Sequence, residues 1–438
     1  MKINPRNVKK ILSNNILADG FDTIIDLEKS HGSYLVDHRD GTEYLDMFSM
    51  YASGAVGYNH PYILSHKNKL GEIAVNKTTL SDIYNIYYAE FLNTFNKIAI
   101  PKSLSNAFFI DGGALAVENA LKTAFDWKRR KNLEKGSNAS GDKVIYFNQA
   151  FHGRSGYTLS LTNTSDPRKT MYFPKFPWFK LNNPALTFPV TDDILTEVKE
   201  SESDIISNIK KIISKNTDDI AAIIIEPIQG EGGDNHFRDE FMKSLRDICD
   251  NNDIIFIFDE VQTGIGVTGK MWAYEHFSIK PDIISFGKKA QVCGFLGSDR
   301  ITEVEKNVFE ESSRINSTFG GNLVDMYRFK LILEIIDNEK LLKNAENKGK
   351  YLLKRIQNLA DEFPSYLTNP RGVGLFCAFD LPSQIERDKL LTMLFDKKIL
   401  ILGSGDNSVR FRPHLNVKEE DINIAIDAIF KTIKVMLN

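Results

Sequence analysis

The stretch PDIISFGKKAQVCG (281–294) ends an apolar run with a glycine and two consecutive lysines, Lys288 and Lys289. A lysine directly after a buried strand is partly withdrawn from water, which lowers its pKa and favours the neutral amine that reacts with carbonyl groups. Most lysines are solvated surface charges, and two neighbours in a turn point in different directions. The pattern therefore predicts at most one reactive amine in this pair.

Two further segments have glycines or carboxylate side chains directly after an apolar run. FFIDGGALAVENALK (108–122) joins a predicted strand to a predicted helix through two glycines, and such a turn can bind a phosphate through backbone N–H groups and the helix dipole. IIFIFDEVQTGIG (254–266) carries Asp259 and Glu260 at the end of its apolar run, where a buried carboxylate requires a positive partner. Taken alone, each has a plainer explanation, namely a structural Gly-Gly turn and a salt-bridged or helix-capping aspartate.

A third segment, AFHGRSGY (150–157), sets an aromatic ring, an imidazole and a guanidinium around a glycine. Phe151 is suited to stack on a planar ring and Arg154 to bind a carboxylate, although alone both fit an ordinary surface. A phosphate turn, a ring support, a buried acid and an imine-forming lysine together match what pyridoxal phosphate requires. Neither a Walker lysine motif nor G-x-G-x-x-G occurs, which argues against nucleoside triphosphates and dinucleotides.

The elements that must position these residues alternate between helix and strand from about Leu80 onward. Continuous Ile and Phe runs in AAIIIEPI (221–228) and DIIFIFDE (253–260), separated by amphipathic segments, predict strands buried on both faces of a parallel α/β sheet. Because ligands bind at the carboxyl ends of strands in such sheets, the polar segments above are expected to meet at one edge.

The two ends of the chain follow other patterns. Near the start, GSYLVDHRDGTEYLDMF (32–48) surrounds a D-G turn with alternating apolar residues, which predicts a β-hairpin. A long apolar helix is predicted from Leu323, followed by an amphipathic helix, a strand in RGVGLFCAFDL (371–381) and a closing helix. This alternation indicates a separate C-terminal α+β unit.

Composition excludes several classes of function. The chain has 438 residues with 55 Lys and Arg against 58 Asp and Glu, so no excess positive charge is available for nucleic acid. Its three cysteines lack the spacing of a zinc site or disulfide framework, so neither is expected and a reduced cytoplasm is favoured. No window is long and apolar enough to predict a membrane span, and no metal is expected.

Together these motifs resemble the class III pyridoxal-phosphate aminotransferases of fold type I, from near Ile25 to the C-terminus. FDEVQTGIG followed at a suitable spacing by PDIISFGK carries the strongest similarity. The resemblance implies an α/β fold with a mostly parallel seven-stranded sheet in a large domain and a smaller α+β domain. Residues 1–55 are expected to contribute to the small domain, 56–321 to form the large cofactor-binding domain, and 322–438 to form the C-terminal small domain.

The resemblance also implies which residues bind the cofactor. Lys288 rather than Lys289 would carry the imine, Asp259 would pair with the pyridine nitrogen, and Lys289 would be a surface or supporting lysine. His152, counted with the cofactor site, is expected to orient or cap the turn of Phe151. The remaining expected cofactor contacts are the phosphate turn at Gly113 and Ala114, the ring contacts Phe151, Val261 and Gln262, and Thr318, reaching the phosphate of the neighbouring subunit in a homodimer with shared sites.

Within the family the chain is most similar to the subgroup that acts on the ε-amino group of L-lysine. The resemblance then implies transfer of that group to 2-oxoglutarate, giving glutamate and an aldehyde that cyclises. Arg154 would bind the α-carboxylate of lysine, and Arg410 in SVRFRPHL would bind that of glutamate. Glu231 in IQGEGG would neutralise Arg410 while lysine is bound and swing away for 2-oxoglutarate, a fixed loop carboxylate being the alternative.

Two departures from the family pattern leave the subgroup open. The chain has Gly112-Gly113-Ala114-Leu115-Ala116 where Ser-Gly-(Ala/Thr)-Glu-Ala is usual, and Val267 where Arg is common. Other readings are an ω-aminotransferase for ornithine, 4-aminobutyrate or diaminobutyrate, a pyridoxal-phosphate racemase or mutase, and a binding protein that retains the fold. The presence of both Lys288 and Asp259 argues against the last of these.

Overall fold

The computed structural model describes residues 3–438, and its strands vary from two to six residues in length. In chain order they are β1 (Tyr34–Val36), β2 (Glu43–Asp46), β3 (Asn106–Ile110), β4 (Lys143–Phe147), β5 (Phe179–Leu181), β6 (Ile220–Ile225), β7 (Ile228–Gln229), β8 (Asn235–His236), β9 (Ile255–Asp259), β10 (Ile283–Phe286), β11 (Cys293–Gly297), β12 (Thr368–Val373), β13 (Phe376–Asp380), β14 (Ile399–Leu400), β15 (Leu402–Ser404) and β16 (Ser408–Phe411).

The helices range from single turns to more than twenty residues. They are α1 (Val8–Leu12), α2 (Ser49–Ala52), α3 (Pro61–Ser65), α4 (Lys67–Ala74), α5 (Ile86–Ile98), α6 (Gly113–Glu134), α7 (Gly156–Leu161), α8 (Asp192–Lys215), α9 (Asp239–Asn251), α10 (Asp299–Thr302), α11 (Leu323–Asn338), α12 (Leu341–Glu362), α13 (Gln384–Asp396) and α14 (Glu419–Leu437). Between residues 3 and 438, none of these helices combines the length and apolarity needed to cross a bilayer.

The main sheet has seven strands in the order β3-β11-β10-β9-β6-β4-β5. Its pairs from β10 to β5 are parallel, and β11 alone runs antiparallel to its neighbours β10 and β3. The mostly parallel seven-stranded sheet expected from the sequence is therefore confirmed. Because β11 reverses direction between them, β3 and β10 point the same way, so the carboxyl ends of six strands lie at one edge.

Both faces of this sheet are covered, which explains the unbroken apolar runs of its central strands. On one face, Ile224 and Ile257 pack with Val117 of α6 in one buried cluster. On the other, the alternate residues Ile223 and Phe256 join a cluster that draws on α5, α9, α11 and the C-terminal elements. Side chains alternate across a strand, so every position of β6 and β9 is buried and apolar until the sheet edge.

The two ends of the chain meet in a smaller layer. The predicted hairpin forms as β1 and β2, and β14 adds to it in parallel beside β2. A second, four-stranded sheet has the order β12-β13-β16-β15 and packs against α12. The N-terminal strands thus pair with a C-terminal strand. The division at residues 55 and 321 stays a prediction.

RGVGLFCAFDL (371–381) differs from the single strand predicted for it. It contains the end of β12, a turn at Gly374 and then β13, which pair antiparallel. Gly374 has φ +57°, a left-handed conformation that glycine adopts at little cost, so the chain reverses there. The sequence did not reveal this reversal because the partly exposed β12 has no apolar pattern of its own, whereas β13 is buried and apolar.

The close approach of α12 to this turn yields a stability prediction. A Cβ on Gly349 of α12 would overlap the backbone of Gly374, whereas one on Gly71 of α4 would meet nothing. Gly349→Ala is therefore expected to lower the free energy of unfolding by about 1–3 kcal/mol through overpacking. Gly71→Ala, the matched helical control, should raise it by about 0.5–1 kcal/mol. Denaturant unfolding measures both, and equal effects would contradict the predicted contact.

Candidate active site

Five segments that follow strands at the same sheet edge surround one cavity of about 740 Å³. They follow β3, β4, β6, β9 and β10, as expected for a ligand site in an open α/β sheet. The lining combines acids, amines and guanidinium groups with few apolar side chains. It consists of Tyr51, Gly113, Ala114, Phe151, His152, Gly153, Arg154, Lys169, Glu226, Glu231, Asp259, Val261, Gln262, Lys288, Leu402, Arg410 and Arg412.

Asp259, the last residue of β9, is 5% exposed and forms a hydrogen-bonded pair with His152. His152 Nδ1 donates to Asp259 Oδ2 at 2.8 Å, and the backbone N–H of Val261 donates to Oδ1 at 3.1 Å. The other ring nitrogen, His152 Nε2, is buried without a partner among residues 3–438. The histidine thus fixes the carboxylate, whose remaining acceptor capacity is available to the cavity.

Glu226, just after β6, is a buried acid that sequence reasoning missed. Its two oxygens accept the backbone N–H groups of Phe151 and Gly230, each at 3.0 Å. Burial raises the pKa of Glu226 to about 7, while the neighbouring His152 acts in the opposite direction. The side chain ties the turn of Phe151 to the loop that follows β7. Its position directly after the apolar run in AAIIIEPI could have identified it as a candidate site residue.

The first turn of α6 faces the cavity without a side-chain cap. Gly112 is its N-cap with φ +101°, and no side chain bonds to the first N–H groups of the helix. A Cβ on Gly113 would stand 3.0 Å from Val261 Cγ1, so the glycine allows the helix terminus to approach the end of β9 closely. Exposed N–H groups and the helix dipole make this end of the cavity suited to an anion.

Lys288 follows β10 and Gly287, and its side chain reaches into the cavity. Its Nζ donates to the carbonyl of Tyr51 at 3.1 Å. Burial lowers the pKa of Lys288 to about 8, with the charge of Arg410 acting in the same direction. A substantial share of neutral, nucleophilic amine is therefore present near neutral pH.

Lys289 is not a surface residue, since it is 1% exposed. Its Nζ donates to the carbonyl of Ala52 at 2.9 Å, and no ion pair to it exists within the described chain. Burial lowers its pKa well below the usual lysine range, with Arg412 acting in the same direction. The two lysines therefore point different ways, one to the cavity and one to the core.

The carbonyls that both lysines bind belong to α2, which is a left-handed turn. Ser49, Met50, Tyr51 and Ala52 have φ between +42° and +67°, a conformation that costs non-glycine residues about 1 kcal/mol or more each. Side-chain donors from the lysine segment therefore hold a strained turn in place. Tyr51, presented by this turn, lines the cavity.

The three predicted substrate residues also line the cavity. Arg410 Nη2 lies 3.0 Å from Glu231 Oε2, and Lys169 Nζ lies 2.6 Å from the other oxygen, Oε1. Burial would raise the pKa of Glu231, but Arg410 and Lys169 outweigh it and the pKa is lowered. Arg154 is exposed and forms no ion pair within residues 3–438. Of these two arginines, Arg154 is free of ion pairs within the described residues and Arg410 is paired.

Arg412 is a second residue that sequence reasoning missed. It lines the cavity two residues beyond Arg410 and is 2% exposed. Asp234 binds it through both oxygens, at 2.8 and 2.6 Å, and its Nε donates to Gln262 Oε1 at 3.1 Å. Residues i and i+2 of a strand share a face, so the spacing in VRFRP was a usable signal.

Thr318 lies outside this cavity. It is exposed, and its carbonyl accepts a hydrogen bond from Ser81 Oγ at 3.4 Å. A larger cavity of about 860 Å³ lies beside the C-terminal half of α6, yet none of the predicted site residues lines it. The predicted site residues other than Thr318 are therefore concentrated at the sheet edge.

Comparison with known proteins agrees with this geometry. The family model "Aminotransferase class-III" matches residues 17–433. An L-lysine-epsilon aminotransferase of Mycobacterium tuberculosis is 46% identical over 436 residues, covering 99% of this chain and 96% of the relative. The human mitochondrial 4-aminobutyrate aminotransferase is 32% identical over 449 residues, covering 97% of this chain and 88% of the relative. A solved lysine aminotransferase structure from M. tuberculosis superimposes with TM-score 0.96 at 44% identity, over 99% of this chain and 100% of that one.

The contact of Lys289 with the left-handed turn can be tested by amide exchange. Lys289→Met removes the donor to Ala52, so the turn should open more often and its amides should exchange about tenfold faster. Lys128→Met is the matched control, since Lys128 is also 1% exposed and its Nζ donates only to the carbonyls of Asn252 and Asp253. Hydrogen–deuterium exchange of peptides spanning 46–56 measures the effect. Equal protection in both variants would show that Lys289 does not hold the turn.

Proposed function

From the premise that this chain belongs to the class III aminotransferases, we propose that it transfers the terminal amino group of L-lysine to 2-oxoglutarate. Glutamate and an aldehyde that cyclises are the products. The observation that carries the proposal is the pairing of charges in the cavity: Arg154 is free, whereas Arg410 is neutralised by Glu231. Such a site accepts a substrate with one carboxylate far from its amine, which describes lysine.

Enzymes of this class depend on pyridoxal phosphate, and the cavity fits that cofactor. The uncapped first turn of α6 at Gly113 and Ala114 would bind the phosphate, and Asp259 would pair with the pyridine nitrogen. Phe151 and Val261 would contact the ring, Gln262 its hydroxyl and Lys288 its aldehyde carbon. Bound there, the cofactor supplies an electron-accepting ring for the carbon that bears the substrate amine.

The chain's own residues handle protons and charge around that carbon. Burial lowers the pKa of Lys288 to about 8. Its neutral amine can therefore take the proton from the substrate carbon that bears the amino group and hold it as an ammonium group. His152 donates to Asp259 and keeps the carboxylate oriented. His152 would therefore act through Asp259. Its backbone N–H donates to Thr162 Oγ1 at 3.0 Å, a bond that does not involve the imidazole, so orientation of the Phe151 turn by the side chain stays a prediction.

The two substrates use the two guanidinium groups differently. Arg154 would bind the α-carboxylate of lysine and, in the second half-reaction, the distal carboxylate of 2-oxoglutarate. Arg410 would bind the carboxylate beside the keto group, once Glu231 has moved away. Exchange of one carboxylate for another keeps Arg410 paired throughout, which avoids a buried lone charge.

We also propose a homodimer with shared sites, in the reducing cytoplasm. Thr318 is exposed outside its own chain's cavity, and the apolar side chains of Leu115 and Phe319 are 42% and 38% exposed near the two segments involved. A partner that covers Leu115 and contributes Thr318 would complete the phosphate end of the cavity. The three cysteines are free and buried, as suits a reducing compartment.

A second candidate donor is 4-aminobutyrate, favoured by the 32% identity to the human enzyme named for it. This donor has the same arrangement of one carboxylate and a distant amine, only with a shorter chain. The cofactor residues and the Arg410 pair would serve it equally. The length between Lys288 and the anchor at Arg154 is the property that separates the two donors.

Product trapping tests the proposed reaction. The protein loaded with pyridoxal phosphate should convert L-lysine and 2-oxoglutarate to a cyclic imine that colours o-aminobenzaldehyde, and turnover should require the keto acid. Lys288→Ala should lower turnover by about 1,000-fold or more, since the base is lost. Lys289→Met should keep the covalent attachment of the cofactor. Faster turnover with 4-aminobutyrate or ornithine would assign a different donor.

The lowered pKa of Lys288 predicts how cofactor attachment depends on pH. Only the neutral amine attacks the aldehyde, so the rate for cofactor-free protein should rise about tenfold per pH unit below pH 8 and level off above it. Arg410→Met removes a positive charge and leaves Glu231 with Lys169 as its one cation, so less positive charge acts on Lys288 and the inflection should move to higher pH. Stopped-flow absorbance measures the rates. An inflection near pH 10 in the unaltered protein would contradict the burial of Lys288.

A further inference from the structure

Glu231 is bound by two cations from opposite sides of its carboxylate. Arg410, inside the cavity, contacts Oε2 at 3.0 Å, and Lys169 contacts Oε1 at 2.6 Å. Lys169 also lines the polar cleft of about 380 Å³ that adjoins the cavity between 164–169 and 403–405. Glu231 and Lys169 thus line both the active cavity and the adjoining cleft, whereas Arg410 lines the active cavity.

Lys169 is positioned for this contact by a short 3₁₀ turn, Pro167–Lys169. Asp166 caps the turn through the backbone N–H of Arg168 at 3.1 Å. The Arg168 side chain points away, pairs with Asp166 and is 80% exposed. Lys169 instead lies against the site, with its Nζ 5.8 Å from the centre of the Phe151 ring, and within residues 3–438 its one ion pair is with Glu231.

The backbone around Glu231 leaves little freedom except in its side chain. The N–H of Gly230 donates to Glu226, and the carbonyl of Glu231 accepts from the N–H of Gly405 at 2.9 Å. A Cβ on Gly232 would overlap the carbonyl of Gln149, so the chain is pressed against its neighbour there. Any movement of the carboxylate away from Arg410 is therefore a rotation of the side chain.

A partly buried carboxylate that leaves Arg410 is destabilised unless another cation pairs with it. We propose that Lys169 is that cation: it holds Glu231 when a dicarboxylate occupies Arg410, and it thereby sets the affinity for the acceptor substrate. This inference rests on the proposed function, in which Glu231 and the acceptor alternate at Arg410. With lysine bound, Glu231 pairs with both Arg410 and Lys169, so loss of Lys169 leaves it one cation. With the acceptor bound, Lys169 is the cation that remains to Glu231, and its loss leaves none.

Binding of glutarate, a five-carbon dicarboxylate without the reactive keto group, isolates this effect from turnover. In cofactor-loaded protein, Lys169→Met should raise the dissociation constant for glutarate about three- to tenfold, and Lys169→Arg should restore it. Arg168→Met is the matched control, since it removes one positive charge from the same turn without touching Glu231, and its effect should be smaller. The KM for L-lysine should change by less than about twofold in Lys169→Met. The cofactor's absorbance reports glutarate binding.

A double-mutant cycle decides whether Lys169 acts through Glu231. Glu231→Ala should tighten glutarate binding by freeing Arg410, and in that background Lys169→Met should have no larger effect than Arg168→Met. A persisting larger effect would mean that Lys169 binds the dicarboxylate directly, which overturns the proposal, as does unchanged affinity in Lys169→Met. If these glutarate results hold while lysine gives no product, the donor assignment fails and the role of Lys169 stands.

Discussion

The pairing of Arg412 with Asp234 is the contact on which the arrangement of the site depends. Both side chains are buried, and the two carboxylate oxygens bind the guanidinium at 2.8 and 2.6 Å. The same arginine donates to Gln262 after β9 and lies 3.2 Å from the centre of the Phe376 ring in β13, while its carbonyl accepts from Ser49 Oγ at 2.5 Å. Arg412 therefore contacts the large sheet and the C-terminal sheet through its buried guanidinium, and the left-handed turn through its carbonyl. A charge with so many partners fixes their relative positions, because its displacement would leave several polar groups unsatisfied.

The buried arginines also bear on the different positions of Lys288 and Lys289. Burial lowers the pKa of both lysines; Arg410 and then Arg412 lower that of Lys288 further, and Arg412 lowers that of Lys289, so the neutral amines are favoured. A neutral Lys289 can remain in the core with a single carbonyl partner, which an ammonium group with three donors could not do without cost. Holding Ala52 there keeps the turn of Tyr51 in place even when Lys288 turns its amine from the Tyr51 carbonyl to a ligand. The apparently redundant neighbour is thus what frees Lys288 to react.

Much of this arrangement was accessible from the sequence, and what was not has identifiable physical causes. Unbroken Ile and Phe runs predict strands that are buried on both faces of a parallel sheet. Because the carboxyl ends of such strands lie at one edge, Asp259 and Lys288 could be predicted to share a site. The burial of Lys289 depends on contacts with a segment more than two hundred residues earlier, which no local pattern encodes. The reversal at Gly374 was missed because β12 is only partly buried and has no apolar alternation to mark it as a strand of its own. Arg412 was passed over although its spacing from Arg410 predicts a shared direction.

The distribution of charge also bears on how one cavity can serve two unlike substrates. In the proposed function, a substrate with one carboxylate would meet Arg154 and leave the Arg410–Glu231 pair intact, so it would bind without breaking an ion pair. A second carboxylate would replace Glu231 at Arg410. Because Arg410 would exchange one carboxylate for another, the free-energy cost would fall mainly on the displaced Glu231. Selection between the half-reactions then lies in what receives Glu231, while the backbone that carries it stays bonded to Glu226 and Gly405. A cavity built in this way distinguishes its ligands by their number of carboxylates before it distinguishes them by length.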